Sequence, residues 1–340
     1  MRARATLATL CSALASLVFA ACSSGASTTP TATSPATTSP APASTAAPCG
    51  AAGAAVLANT AGAVAQRIYA SEVTSSEVSA DKRQIESYGP LLSAMQRGEH
   101  AAIEAAVHSL VYSHTHIVRL RVSRGSTVLS DIGGPYILAP VRGTLRSHGR
   151  TIGQFVFSVQ DDLGYVKLVT RFIGAPLILR TDSGQVPVEG LLSPGPATIP
   201  DRGPVTYRGT TYEAYSFRVE AYPSGRLRVS LLLPVTSALQ TQTCARIKTQ
   251  ETALVAQRIS RRFALSPSAF APFVRLVQTM THALVYVRAG SRTLAGSTRS
   301  APPRLPTSGA LRWRGVGYEV ASFQAPSSAG SVRVYVLVAP

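Results

Sequence analysis

Charge and aromatic side chains are scarce in this chain of 340 residues: Asp, Glu, Lys and Arg make up 14% of it and Phe, Trp and Tyr 6%. So little charge excludes a charge-rich disordered protein, and a hydrophobic fraction of 45% can supply a core. Acids are the scarcest of the charged groups, 16 against 33 Lys and Arg, which leaves a formal net charge of +17. That balance would suit an anionic partner, yet no run of five basic residues occurs and no basic stripe is interleaved with aromatics, so nucleic acid is not expected as a partner. After the first twenty residues no stretch is long and apolar enough for a transmembrane helix. The H-E-x-x-H, G-x-S-x-G and phosphate-loop motifs are missing. An S-x-x-K pair, Ser79–Lys82, lacks the S-D-N and K-T-G partners of penicillin-binding enzymes. His114 and His116 stand two apart, with His108 nearest to them, but zinc needs a third and fourth ligand. No enzyme, cofactor, metal or catalytic residue is therefore expected.

The N-terminus is informative. Arg2 and Arg4 precede an apolar run, Ala5–Ala20, too short to span a bilayer comfortably. It ends in FAAC, Phe19–Cys22, which resembles the lipobox of bacterial lipoproteins, with Phe19 in place of the usual Leu, Val or Ile. The resemblance implies lipidation of Cys22 and a chain anchored outside the cytoplasm. Ordinary secretion and an uncleaved signal anchor are the alternatives. Residues 23–48 are Ser, Thr, Pro, Ala and Gly until Cys49; they cannot bury a core and read as an extended tether, with O-glycosylation open. Of four cysteines, Cys11 falls in the signal and Cys22 at the lipid site, leaving Cys49 and Cys244. In an oxidising compartment these pair as a disulfide; two separate buried thiols are the alternative.

The chain also repeats itself. VAQRIY at Val64–Tyr69 returns as VAQRIS at Val255–Ser260, each in a helical segment after one of the two mature cysteines. A second helical segment, Leu91–Leu110, has its counterpart at Ala271–Met280. Strands follow that share one plan: Arg121–Leu129, Leu179–Val188 and Tyr286–Leu294 each reach a glycine turn, at Gly125, Gly184 and Gly290. Val205–Pro234 then matches Leu311–Pro340 as strand, R-G turn, Y-E strand, glycine turn and strand. In a third, more divergent copy Gly149 takes the place of Gly209 and Gly315, and Gly164 that of Gly225 and Gly330. Strands following strands make this an α+β protein with antiparallel sheets of about five strands, each sheet with one apolar face covered by helices.

IVRLRVSRGSTVLSD (Ile117–Asp131), with Gly133–Gly134, Ala139–Val141, Gly149–Gly153 and Phe155–Val159 after it, resembles the Cache family of PAS-like extracytoplasmic sensor domains. The resemblance covers Ala51–Phe172 and, with the repeats, implies tandem PAS/Cache-like modules; together with the N-terminal readings this divides the chain into a signal (1–22), a tether (23–48), a Cache-like module (49–174), a second antiparallel sheet module (175–238) and helices with a C-terminal sheet repeat (239–340). It implies a pocket for a small organic ligand, often an anion such as a carboxylate. Arg142 at the end of the A-P-V strand, Arg119 and Arg121, and the loop of Gly133, Gly134 and Tyr136 would line that pocket. Alternation with Val118, Leu120 and Val122 puts Arg119 and Arg121 on one strand face, and a guanidinium grips a carboxylate with two parallel hydrogen bonds. In QDDLGYVKL, Asp161, Asp162 and Tyr165 read either as a hairpin turn or as a ligand-facing cluster at a strand end. The function expected is a membrane-anchored sensor or binding lipoprotein that presents its ligand to an envelope partner. The alternative is a structural or protein-interaction lipoprotein with no small-molecule pocket.

Overall fold

The computed structural model describes residues 46–113, 116–135, 138–186, 194–263, 265–328 and 330–340. The signal, Cys22, nearly all of the tether, His114 and Tyr136 lie outside these residues. A short helical turn, Gly50–Ala52, leads into helices α1 (Gly53–Thr74), α2 (Ser76–Ser87), α3 (Gly89–Arg97) and α4 (His100–Ser113). Strands β1 (Arg119–Arg124), β2 (Thr127–Gly133), β3 (Pro140–Ser147) and β4 (Arg150–Ser158) follow. Then come α5 (Asp162–Ile173) and β5 (Leu177–Thr181), β6 (Gly184–Gln185), β7 (Arg202–Tyr207), β8 (Thr210–Glu220) and β9 (Arg226–Pro234). The last part holds α6 (Ala238–Thr241), α7 (Cys244–Ser260), α8 (Phe270–Thr281), β10 (Leu284–Ala289), β11 (Arg292–Gly296), β12 (Ser308–Trp313), β13 (Val316–Ala325) and β14 (Val332–Val338).

The strands form three antiparallel sheets, ordered β2-β1-β4-β3, β6-β5-β9-β8-β7 and β11-β10-β14-β13-β12. The α+β class and helix-covered antiparallel sheets are as the sequence implied; the first sheet has four strands where about five were expected. The last two sheets are the same object built twice. Each has a helix just before its first strand (α5, α8) and a longer helix laid on its last two strands: α1 on β8 and β9, α7 on β13 and β14. VAQRI sits alike in both, since Val64, Ala65 and Ile68 are buried in α1, and Val255, Ala256 and Ile259 in α7.

The grouping therefore differs from the boundary drawn at residue 174. Helices α1 and α5 share one core with α7, α8 and the inner faces of both five-stranded sheets. The first sheet, with α2, α3 and α4, has its own core around Ile85, Met95, Leu110, Leu120, Phe155 and Phe157. It is an insertion between α1 and α5. The helices and the first sheet looked continuous in sequence because α2 starts two residues after α1 ends, its break marked only by Ser75, whose hydroxyl caps α2 at Val78 N (3.1 Å).

Small residues let α1 lie close to its neighbours. Ala54, Ala58, Ala61 and Ala65 recur along one buried face. Gly62 is pressed so near β8 that a Cβ there would stand 2.1 Å from the Tyr215 ring. Helices α1 and α7 pack on each other, and Cys49 and Cys244 join their starts in a disulfide with Cα atoms 4.8 Å apart. In the described residues no helix is long and apolar enough to cross a membrane.

Candidate functional site

Alternation along β1 buries Leu120 and Val122 against the helices and turns Arg119 and Arg121 to the opposite face of the first sheet. Arg121 stands opposite Asp131 on β2 and opposite Val156 on β4, and Val156 in turn faces Arg142 on β3. All three predicted arginines thus share one sheet face. Gly133, with φ of +123°, is there for close approach: a Cβ would meet Val118 O at 2.3 Å. Gly134 N donates to the same carbonyl at 3.3 Å. Both glycines close the end of β2 and are not in the cleft described below.

Two of the arginines already hold an acid. Arg119 donates from Nε to Asp131 Oδ1 (3.1 Å) and from Nη2 to Oδ2 (2.9 Å). Arg121 donates from Nε (3.0 Å) and Nη2 (2.6 Å) to Oδ2. Tyr222, from the β8–β9 hairpin of the second sheet, donates to Asp131 Oδ1 at 3.1 Å, and the Arg119 guanidinium lies 4.5 Å from the Tyr222 ring centre. Burial disfavours the Asp131 carboxylate, but the hydrogen bonds and charges of Arg119 and Arg121 outweigh it and hold its pKa below the usual value. The Tyr222 hydroxyl is pushed well up, chiefly by burial and by Asp131. Arg142 is bound across the same junction, donating from Nη2 to the Glu220 carboxylate and to Pro223 O (2.8 Å).

Between this face and the β8–β9 hairpin lies an open cleft of about 270 Å³, lined by Arg121, Arg142, Ser123, Gln154, Pro223 and Ser224 among others. A guanidinium has five N–H donors in a fixed fork. Arg121 commits Nε and Nη2 to Asp131, and Arg142 commits only Nη2, so both keep donors for a further acceptor. Two carboxylates against three guanidinium groups leave this face one positive charge in excess. The arrangement can receive a small anion beside hydroxyl and amide groups.

The other predicted site residues do not join it. Asp161 is the N-cap of α5, its Oδ1 accepting from Gly164 N at 2.5 Å. Asp162 is buried in the first turn of the same helix. Tyr165 is fully buried; its hydroxyl donates to Ala65 O (3.2 Å), and its ring meets Tyr69 edge-on with centroids 5.5 Å apart. QDDLGYVKL is therefore neither a hairpin turn nor a ligand cluster but a helix start, and Gly164 has no turn role matching Gly225 or Gly330. The signal was present: apolar residues at Leu163, Val166, Val169, Phe172 and Ile173 are spaced for a helix, and Gly174 ends it in the left-handed conformation.

Ser79 of the S-x-x-K pair only bonds back to Ser75 O (3.1 Å). Among the described residues no three His, Cys, Asp or Glu side chains gather as a metal site. Asp131, Glu220 and Tyr222 are the residues that sequence reasoning missed. Asp131 was within reach, because folding the β1–β2 hairpin about Gly125 with one bulge at Val122/Ser123 sets it opposite Arg121. Glu220 and Tyr222 come from the next sheet, and no local pattern points to them.

No family model and no curated protein matches the chain. Among solved structures it is similar to extracellular ligand-binding sensor domains. An extracellular ligand-binding receptor from Desulfohalobium retbaense matches at 13% identity and a TM-score of 0.31, over 52% of this chain and 39% of that one. The ligand-binding domain of a Pseudomonas fluorescens chemoreceptor, in complex with L-alanine, matches at 12% identity and 0.29, over 52% and 94%. The sensory domain of a Campylobacter jejuni chemoreceptor with isoleucine bound matches at 6% and 0.32, over 55% and 95%. At TM-scores of this size the fold rests on the strand order given above, not on the likeness.

Proposed function

We propose that this protein is a lipid-anchored, extracytoplasmic binding protein whose Arg121–Arg142 cleft takes a small carboxylate-bearing ligand and presents it to an envelope partner. The observation that carries the reading is the pair of arginines with uncommitted donors in one concave cleft, at the seam between the inserted first sheet and the second sheet. The same seam is tied by Tyr222 to Asp131 and by Arg142 to Glu220. A ligand carboxylate on Arg142 competes with Glu220, so occupancy changes how the two sheets are held, which a partner can read.

A ligand that binds the folded state raises its apparent stability. A thermal-shift screen of organic acids and amino acids should therefore find at least one acid that raises the melting temperature, and its amide or ester should not. A screen in which no acid acts would favour the second reading, a protein-interaction lipoprotein without a pocket. One observation favours that reading for the other two sheets, whose outer faces are already filled: Ile178, Ile199 and Leu232 pack on one, Tyr286, Val320 and Leu337 on the other. The anchor has its own test. Cys22→Ser should release the chain from membranes or leave the signal uncleaved; a variant processed and fractionating like wild type removes Cys22 as the anchor.

A further inference from the structure

The two repeats end their long hairpins in the same way. Tyr207–Arg208–Gly209 turns β7 into β8, and Trp313–Arg314–Gly315 turns β12 into β13. Both arginines are exposed, and each guanidinium lies over the aromatic ring before it, 5.1 Å from the Tyr207 centre and 4.7 Å from that of Trp313. Arg208 and Arg314 adopt φ of +48° and +52°, with glycines at +76° and +80° after them. That is a turn for which Asn-Gly is the preferred pair, so the turn itself does not call for arginine. A costly backbone state kept by an unsuited side chain points to a use for that side chain.

Register places both tips at one end of the molecule. Tyr212 stands opposite Pro234 and Glu319 opposite Val338, so each hairpin projects beyond the end of its neighbouring strand. Those strand ends adjoin the start of α7: Lys248 Nζ donates to Ala339 O (3.0 Å), and Val235 N to Thr211 O (3.0 Å) a few residues before α6. Cys49 N donates to Gln242 O at 2.7 Å beside the disulfide, so the tether joins the fold at this same end. Basic groups prevail here: Arg208, Arg312 and Arg314 on the hairpins and Arg246 and Lys248 at the start of α7 stand against two half-buried acids, Glu213 and Glu319. Among the described residues neither Arg208 nor Arg314 is in an ion pair with an acid. Val316, beside the second tip, is 43% exposed.

We infer that the tether end docks onto an anionic lipid surface through these two aromatic–arginine tips. Tyr and Trp settle at the lipid–water boundary, and each basic residue near an anionic leaflet adds attraction. The inference does not depend on the ligand cleft, which the test leaves untouched.

Trp313 is the only tryptophan, so its fluorescence reports the tip directly. The full chain would be mixed with vesicles carrying brominated acyl chains, of phosphatidylcholine alone or with phosphatidylglycerol. Trp313 should be quenched on the mixed vesicles and not on the neutral ones, and high salt should reverse the quenching. Exchanging Arg208→Asn and Arg314→Asn together keeps the turns and removes both charges. The docking constant, read as the ratio of quenched to unquenched Trp313, should fall about thirtyfold with the melting temperature retained. The inference is overturned by an unquenched Trp313 on the mixed vesicles, by equal quenching on neutral ones, or by a double variant that docks like wild type. A Trp313 that responds to soluble polyphosphate and not to vesicles would overturn it in favour of a polymeric partner.

Discussion

Replacing either Cys49 or Cys244 with serine should destabilise the fold by about 4–5 kcal/mol, the chain-entropy value for a loop this long. The bond closes a sequence separation of 195 residues and joins the starts of α1 and α7. Those two helices lie between the duplicated sheets, so the crosslink ties one repeat to the other at the point where the tether enters. Without it the unfolded chain regains the freedom that the loop denies it, while the folded contacts stay. Equilibrium unfolding in denaturant measures the effect. The double variant should be no less stable than either single one, because both remove the same bond. Reductant should shift wild type to the variants' midpoint and leave the variants unmoved. A wild-type midpoint indifferent to reductant would refute this role for the bond.

Tyr165→Ala should cost about 3–5 kcal/mol, the range for removing a buried aromatic ring, and Tyr165→Phe only about 1 kcal/mol for the lost hydrogen bond. Tyr165 packs in the shared core with no exposed surface, edge-on to Tyr69 and bonded to Ala65 O. It holds α5 against α1, and burial together with nearby Tyr69 and Glu72 pushes its hydroxyl pKa well above the ordinary value. The ligand-facing role that QDDLGYVKL suggested makes the opposite forecast: a nearly unchanged melting temperature and weaker ligand binding. Thermal unfolding of the two variants separates the roles, and a Tyr165→Ala protein as stable as wild type would restore the ligand role.

Much of the architecture was legible because its signals are local. The R-G and H-G turns at Arg208, Arg314 and His148 mark the hairpins, and period-two alternation marks the strands between them. The doubled VAQRI and the cysteines Cys49 and Cys244 marked the paired helices. What stayed hidden was which helix covers which sheet. That choice depends on Gly62 meeting Tyr215 and on Tyr165 reaching Ala65, contacts that span 153 and 100 residues and leave no pattern in either segment alone. The start of α5 was misread for a different reason: adjacent aspartates followed by glycine serve a turn and an N-cap equally well, and only the apolar spacing beyond them decides. Alternation within one strand points to Arg119 and Arg121, and the resemblance to Arg142 at the end of the A-P-V strand, while Glu220 and Tyr222, which hold the seam they occupy, arrive from another sheet.

Calorimetry of an acid found in the screen, titrated into wild type and into Arg142→Ala, tests the proposed grip of Arg142 on a ligand in the seam between the first two sheets. Arg142 is 48% exposed and rests on a half-exposed Glu220, so its loss should leave the unliganded melting temperature almost unmoved. Its hydrogen bonds to a carboxylate are charge-assisted, so affinity should fall about tenfold or more. Unchanged affinity in Arg142→Ala, at an unchanged melting temperature, would contradict the account.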